Sequence, residues 1–570
     1  MNKRWSILDT PSSELVQALS LALSIEPPLA TLLVQRGITS FDEAKAFFRP
    51  DIELLHSPFQ MKDMDKAVER IQHAIKNGET IVIYGDYDVD GTTSVALVYG
   101  YLSQFYSALK YYVPDRYTEG YGVSRKGIDT AKEWGATLLI TLDCGIKAGE
   151  VIQYAASLGI DTIVCDHHLP EDELPAAVAV LDPKRYDCPY PFKELSGCGV
   201  GFKLIHAVTT VMAWPEGALW EQLDLVAIST CADIVPMIGE NRILTYFGLQ
   251  QLNQRPRPGI QALIDCIGYK PPIDVHKIVF GFAPRINAAG RIHHALYAVQ
   301  LLLAEAGEQA DGLVEVVNQY NQERRGADEA ITQEALEMIE SLNQKKAYVS
   351  SVVYKKDWNK GVIGIVASRC IEHYHRPTIV LTQSQGKTAG SARSIPGFDL
   401  YEALGKCSDL LTQFGGHKYA AGLTMPSENI ELFREKFDAV VRSTVSPQNL
   451  VPTITIDIEI TLSDINRKFY SIVQQMAPFG PLNMQPVFIT RAVRVVRPVR
   501  HMKEKHIKIW LQEQNSAQVW EAVGFNLATG AGWKPGDEVD ICYSISENEY
   551  QQVKTIQLML RDIRYTEKVL

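Results

Sequence analysis

The residues best suited to chemistry are acidic and stand in short, separated groups. Asp86, Asp88 and Asp90 alternate through Gly85-Asp86-Tyr87-Asp88-Val89-Asp90-Gly91, Asp143 opens Asp143-Cys144-Gly145, Asp166-His167-His168 follows, and Asp233 closes an apolar run. Three carboxylates spaced two apart at the end of a buried strand would repel one another and lose hydration unless cations neutralise them. Carboxylates with one or two imidazoles and no thiolate suit Mn2+ or Mg2+ rather than structural zinc. Two such ions about 4 Å apart could clamp a phosphodiester, one activating water and the other steadying the leaving oxygen. Each group taken singly also fits a solvated turn or a helix cap. Their recurrence favours a site.

The elements needed to bring them together are legible. Asp86 follows Ile81-Val82-Ile83, Asp143 ends the β-branched run 136–142, and Asp166 ends the run 161–165. The run 225–232 before Asp233 reads equally as strand or helix. Apolar strands separated by helical stretches of about a dozen residues are the βαβ pattern, whose right-handed crossovers place successive strand ends on one edge of a parallel sheet. Ligands gather just beyond that edge. Asp86, Asp88, Asp143, His167 and Asp233 are therefore expected to converge.

With Ala232-Asp233-Ile234-Val235-Pro236 and Gly415-Gly416-His417-Lys418-Tyr419-Ala420-Ala421-Gly422, these motifs resemble, in order, those of the DHH phosphoesterase superfamily, and most of all its bacterial single-strand-specific 5′-to-3′ DNA exonucleases. The likeness runs from about residue 70 to the C-terminus. It departs from the usual pattern at Val89, where Ala is common, and at Ala392, where Gly is common; neither change removes a charge. The resemblance implies two Mn2+ or Mg2+ ions held by Asp86, Asp88, Asp143, His167 and Asp233, with Asp143 bridging and Asp90, Asp166 and His168 orienting the ligands. It implies Gly415, Gly416 and His417 at the scissile phosphate, and Arg116, Ser391 and Arg393 on a terminal 5′ phosphate. It also implies a monomer that degrades single-stranded DNA to mononucleotides in recombination and repair, with a single-strand-binding protein and a helicase as partners.

The rest of the chain supplies the expected frame. Residues 1–60 read as helices, with Ser40 and Glu43 spaced as a capping box, forming either a lid or brace on the catalytic core or a purely stabilising extension. Residues 61–300 form the mainly parallel α/β catalytic domain. Within it, 111–122 is a loop rich in Tyr, Arg and Gly, suited to nucleotide contact. In Gly281-Phe282-Ala283-Pro284-Arg285-Ile286-Asn287-Ala288-Ala289-Gly290-Arg291, small residues permit close backbone approach, while Arg285, Asn287 and Arg291 could address phosphate or order the metal ligands. A polar helix over 311–342, with Gly326 its weak point, would connect this domain across 301–346 to a smaller α/β domain at 347–446. The resemblance makes that smaller domain the DHHA1 partner. Beyond it, 447–570 reads as short strands of an OB-like barrel. Between Arg491 and Lys508 stand Arg494, Arg497, Arg500, Lys503 and Lys505 as well, against a single acid, Glu504. Together with Trp510, Trp520 and Phe525 they suggest a single-strand groove, although at least one of these aromatics is expected in the core.

Composition bounds these readings. A chain of 570 residues should form several domains. No apolar run reaches 18 residues and no signal-like stretch follows Lys3 and Arg4, which suggests the cytoplasm and no membrane contact. Nine scattered cysteines without CxxC pairs read as reduced core residues. The net charge of −11 opposes nucleic-acid binding unless cations cluster locally. Two other functions compete: an oligoribonuclease or cyclic-dinucleotide phosphodiesterase of the same superfamily, and a catalytically inactive DNA-binding relative.

Overall fold

The structure is a computed structural model and describes residues 3–384, 386–514, 516–528, 532–550 and 553–567. The chain divides into two compact units, one of Leu55–Val235 with Gly239–Val451, the other of the chain up to Leu54, Pro236–Ile238 and the chain from Pro452.

The first unit contains strands β1 (Thr80–Gly85), β2 (Leu109–Tyr112), β3 (Ala136–Leu142), β4 (Asp161–Cys165) and β5 (Ala179–Leu181). All pair in parallel in the order β2-β1-β3-β4-β5. Their Val, Ile and Leu side chains are covered on both faces, as continuous apolar runs in a parallel sheet require. From β1 the chain turns one way to β2 and then returns to the other side for β3. This reversal opens a crevice at the carboxyl ends of β1 and β3. Helices α1 (Val89–Leu102), α2 (Gly197–Met212) and α3 (Leu223–Ala232) pack together beside it.

The ambiguous run before Asp233 is thus a helix, α3, and Asp233 is its C-terminal cap. All its residues from Leu223 to Cys231 are buried, so no amphipathic period marks it in the sequence. Residues 283–292 form helix α4 (Ala283–Ile292), entered through one wide turn at Ile278–Phe282. The connector, α5 (Gly307–Lys345), is 39 residues long and runs through Gly326 without a break. It packs on α4 and on α6 (Ile363–Tyr374). Strands β6 (Ser351–Tyr354), β7 (Thr378–Ser384), β8 (Lys387–Arg393), β9 (Gln413–His417) and β10 (Ala420–Met425) make a second sheet in the order β9-β10-β8-β7-β6, antiparallel except for β6 with β7.

In the second unit β11 (Phe488–Val495), β12 (His506–Gln512), β13 (Val519–Gly524), β14 (Glu538–Tyr550) and β15 (Val553–Tyr565) pair as β11-β14-β15-β13-β12, and β12 pairs back onto β11. A five-stranded barrel closed in this way has the OB arrangement. The N-terminal helices share their apolar core with the barrel unit. Val16, Leu19, Leu29, Leu32, Leu33 and Ala44 are buried in one apolar cluster with Phe469, Phe488, Ile509 and Ile541 of the barrel unit. Arg4–Ile7 pairs in parallel with Thr453–Ile456, and buried Arg36 reaches Asp457 and Asn483. An amphipathic helix announces that it needs an apolar partner but not which one. Ser40 and Glu43 do form the capping box. The nine cysteines are free thiols, eight of them buried. Among the described residues no single helix is long and apolar enough to cross a membrane.

Candidate metal centre

The crevice between β1 and β3 collects the acids. Asp86 leaves β1, and Asp88 caps α1 by accepting from the Gly91 N–H at 3.1 Å. So tight a turn needs glycine, since a Cβ on Gly91 would lie 2.4 Å from the Asp86 carbonyl oxygen. Asn287 on α4 accepts from the Val89 N–H at 3.1 Å and fixes the turn from outside. Asp143 follows β3 with φ +58°, a left-handed conformation that Asp tolerates better than most residues. Its N–H continues the ladder to the Cys165 carbonyl at 2.9 Å. Gly197, opening α2, lies so close that a Cβ would meet Asp143 Cβ at 2.6 Å.

Three groups of donor atoms result: Asp86, Asp88 and Asp143; Asp143, His167 and His168; and Asp90, His167 and Asp233, with the atoms of each group within 4.8 Å of one another. Asp143 and His167 are each shared between two groups. His167 Nδ1 lies 3.1 Å from the Leu195 carbonyl, which can only accept, so this nitrogen carries the proton. Nε2 therefore presents a lone pair. It faces carboxylate oxygens of Asp143 at 3.2 Å, Asp90 at 3.6 Å and Asp233 at 3.7 Å. His167 Nε2 and Asp86 Oδ2 are buried and have no hydrogen-bond partner. Lone pairs facing lone pairs in a buried site are stable only around a cation. Oxygen donors with one or two imidazole nitrogens fit a hard divalent ion such as Mn2+ or Mg2+.

The proton equilibria agree. Burial first, then repulsion by Asp88, pushes the Asp86 carboxyl well above its ordinary range. Burial, then Asp90, Asp88 and Asp233, does the same to Asp143, and burial with Asp90 and Asp88 to Asp233. Burial lowers His167 and keeps it neutral, the form that can bind a metal. Asp166 behaves in the opposite way. Burial alone would raise its pKa, but hydrogen bonds from His168 and the Ile146 N–H hold it below the usual carboxylate range. His168, desolvated yet bound to Asp166 at 2.7 Å, is raised. In its cationic form Nε2–H donates to the Tyr121 hydroxyl at 3.2 Å, which in turn donates to the Asp143 carbonyl at 3.3 Å. Asp90 uses both oxygens on the Gly197 and Cys198 N–H groups and the Ser229 hydroxyl, at 2.6–2.8 Å, and so ties α2 and α3 to the motif.

Arginines face the same region from both halves of the unit. The Arg116 guanidinium stacks 3.9 Å above the Tyr87 ring and donates to the Gly290 carbonyl. Arg393 donates to Ser391 Oγ at 3.0 Å, and both lie against the first turn of α6 at Gly364. Arg291 donates to the Gly361 carbonyl at 3.0 Å. Burial, then Arg116 and Arg393, pulls its pKa down to about 10. Among the described residues none of these three arginines makes a salt bridge. A helix N-terminus, a hydroxyl and unpaired guanidiniums together favour an anion. His417 ends β9 beyond Gly415 and Gly416 and is exposed; partial burial, then the field of Arg393, His168 and Lys147, lowers its pKa.

Other expected contacts are placed differently. Arg285 is occupied by Asn318 Oδ1 at 3.0 Å and the Gly281 carbonyl, a link between α4 and the connector rather than to the acids. Arg491 is neutralised by Glu459 and Asp540 at 3.1 and 3.4 Å, and Lys508 by Glu521 at 2.7 Å. Arg494, Arg497, Arg500, Lys503 and Lys505 remain exposed. Trp520 is barrel core, whereas Phe525 is 56% exposed and Trp510 lies under Arg497 and Lys508. Asp182, outside the expected set, is buried where β5 ends; burial with Asp166 pushes its pKa up to about 7. The strand-then-acid rule applied to Ala179–Leu181 would have found it. Tyr121 lies in the loop read as a nucleotide contact, with nothing in the sequence to place it over Asp143, and the Gly197 approach carried no sequence signal of its own.

A parallel sheet with this acid and histidine cluster at its switch point, joined by a long helix to a second α/β domain, defines a DHH-type phosphoesterase. Family models agree: the DHH family N-terminal domain matches residues 80–230, the DHHA1 domain 326–443 and the RecJ OB domain 456–562. The single-stranded-DNA-specific exonuclease RecJ of Bacillus subtilis (strain 168) is 38% identical over 99% of this chain and 71% of its own length. RecJ of Escherichia coli (strain K12) is 32% identical over 96% and 98%. A crystal structure of RecJ in complex with Mn2+ from Thermus thermophilus superposes with TM-score 0.85 at 26% identity, covering 99% of this chain and 80% of that one. The chain belongs to the RecJ family.

Proposed function

We propose that this protein is a metal-dependent exonuclease that removes 5′-mononucleotides from the 5′ end of single-stranded DNA, serving recombination and repair. One observation carries the reading. Two buried lone pairs, His167 Nε2 and Asp86 Oδ2, stand without partners among carboxylates at the sheet switch point, in a chain whose relatives are named single-stranded-DNA-specific exonucleases.

Asp86, Asp88, Asp143, His167 and Asp233 would hold two Mn2+ or Mg2+ ions, with Asp143 common to both. Bound there, the ions supply an activated water and offset charge on the phosphate and the leaving oxygen. The chain itself does the positioning. Asp166 keeps His168 protonated, and His168 steadies Tyr121 over Asp143. Asn287 and Asp90 hold the Asp86–Asp90 turn between α4, α2 and α3. Arg116, Arg393 and Ser391, with Arg291 behind them, receive the terminal 5′ phosphate, whose charge relieves the repulsion among the guanidiniums. His417, kept neutral, addresses the scissile phosphate with Gly415 and Gly416. Fixing the terminal phosphate at a set place relative to the metal ligands makes cleavage exonucleolytic and sets its polarity. In the barrel unit, Arg494, Arg497, Lys503 and Lys505 would neutralise backbone phosphates while Trp510 and Phe525 stack on bases. Acting as a monomer in the cytoplasm, where its cysteines stay thiols, the enzyme would depend on a helicase or a single-strand-binding protein to present its substrate.

Retention of every acid disfavours the inactive relative, and the C-terminal barrel disfavours a dinucleotide phosphodiesterase. The test is digestion of 5′- and 3′-labelled oligonucleotides, single- and double-stranded, and of dinucleotides, with Mn2+, Mg2+ or chelator. The expected result is mononucleotides from the 5′ end of single strands only, abolished by chelator. Faster cleavage of dinucleotides than of long strands, or release from the 3′ end, would overturn the proposal.

A further inference from the structure

The loop between β2 and the helix Arg125–Glu133 works on both sites at once. Arg116 reaches the phosphate-facing arginines. The Tyr117 hydroxyl bonds the Arg291 carbonyl and lies 3.2 Å from Asn359 Oδ1, across to the second α/β domain. Tyr121 covers Asp143, and the Gly122 N–H donates to Asp86 Oδ1 at 3.3 Å. Gly120 and Gly122, at φ +88° and +81°, give the segment no stiffness of its own. Something else must fix its shape.

One carboxylate does so. Glu119 has a side chain only 3% exposed. Its Oε1 accepts from the Asp115 N–H at 3.0 Å, closing the start of the loop. Its Oε2 accepts from the Tyr112 hydroxyl at 2.9 Å, on the end of β2, and from the Ser124 hydroxyl at 2.5 Å, where the following helix is capped. Burial alone would raise its pKa, but these donors hold it below the ordinary range, so it stays ionised at neutral pH. Lys126 Nζ at 3.5 Å is the nearest cation, and it is solvent-exposed. Four donors on one buried carboxylate make a clamp that a neutral amide cannot reproduce, because an amide has a single acceptor oxygen.

We propose that Glu119 is a positioning residue that sets the register between the terminal-phosphate arginines and the metal ligands, and thereby the preference for a 5′-phosphorylated end. The inference rests on the 5′-phosphate reading given above. Glu119 touches neither substrate nor ion; it acts through Arg116.

The experiment compares initial rates on one single-stranded oligonucleotide bearing a 5′ phosphate or a 5′ hydroxyl, for the full-length enzyme in Mn2+, its Glu119→Gln variant and its Tyr112→Phe variant. Tyr112→Phe removes one donor and keeps the ring stack on Tyr84. In Glu119→Gln the kcat/KM ratio between the two substrates should fall about tenfold, the scale of losing a hydrogen-bonded charge. The fall should come through KM on the phosphorylated strand, while Tyr112→Phe gives a smaller fall. Equal losses on both substrates, or a ratio unchanged in both variants, would overturn the inference while leaving the 5′-phosphate reading standing. Absence of any preference in the unmodified enzyme would overturn that reading, and the inference with it.

Discussion

Asp143→Asn should move stability and metal binding in opposite directions. Asparagine keeps the size of the side chain and accepts the left-handed backbone at φ +58°, so the fold should survive. What it loses is a charge that is buried and repelled by Asp90, Asp88, Asp233 and Asp86. Without metal, that loss removes a penalty on the order of 2 kcal/mol, the usual scale for an uncompensated buried polar group. The metal-free variant should therefore be more stable than the parent at neutral pH. The sign with pH follows from the raised folded-state pKa values of Asp86, Asp143 and Asp233. Groups raised on folding contribute stability below their unfolded pKa, near 4, and lose it as pH climbs through the folded value. Metal-free parent protein should thus lose stability between mildly acidic and alkaline pH. Mn2+ should restore more stability at the alkaline end, because it binds the ionised carboxylates. Asp143→Asn should flatten the metal-free pH dependence and weaken Mn2+ binding beyond the roughly 10–100-fold typical of an outer-shell partner. Nuclease activity should fall about 10³-fold or more, several kcal/mol of transition-state stabilisation. Urea unfolding at pH 5 and pH 8, with Mn2+ or chelator, and calorimetric Mn2+ titration read these effects. A variant that binds Mn2+ as the parent does, or is less stable than the parent in chelator at pH 8, would refute the shared-ligand geometry.

Three further outcomes concern the second unit. Leu32→Ala empties part of the apolar cluster shared by the N-terminal helices and the barrel, and should cost about 2–5 kcal/mol, seen as an early unfolding transition. No shift would mean that these helices do not belong to the barrel core. Trp510→Ala should weaken single-strand binding by about 1–3 kcal/mol, while Lys503→Ala should weaken it with a log–log salt slope shallower by about 0.7. Unchanged affinity in fluorescence titrations would remove this face from the binding surface.

The sequence alone determined the local statements. β-branched runs ending in Asp or Asp-His-His specified buried parallel strands with acids at their carboxyl edge, because short β-branched apolar runs separated by helical stretches suit strands covered on both faces. The capping box at Ser40 and the long polar connector were legible because caps and helical period are short-range. Only the tertiary structure decided relations between distant segments. It showed that α3 is helical, since burial on every side erased its period. It brought the first helices to the C-terminal barrel, because hydrophobic burial is non-directional and a sequence does not name the surface that covers it. It occupied Arg285 and Arg491 with partners far along the chain. Above all, it turned His167 Nε2 toward Asp143, because the donated proton lies on the other nitrogen, facing a carbonyl at Leu195. Which lone pair is left over depends on a neighbour 28 residues away, and only the folded chain places that neighbour.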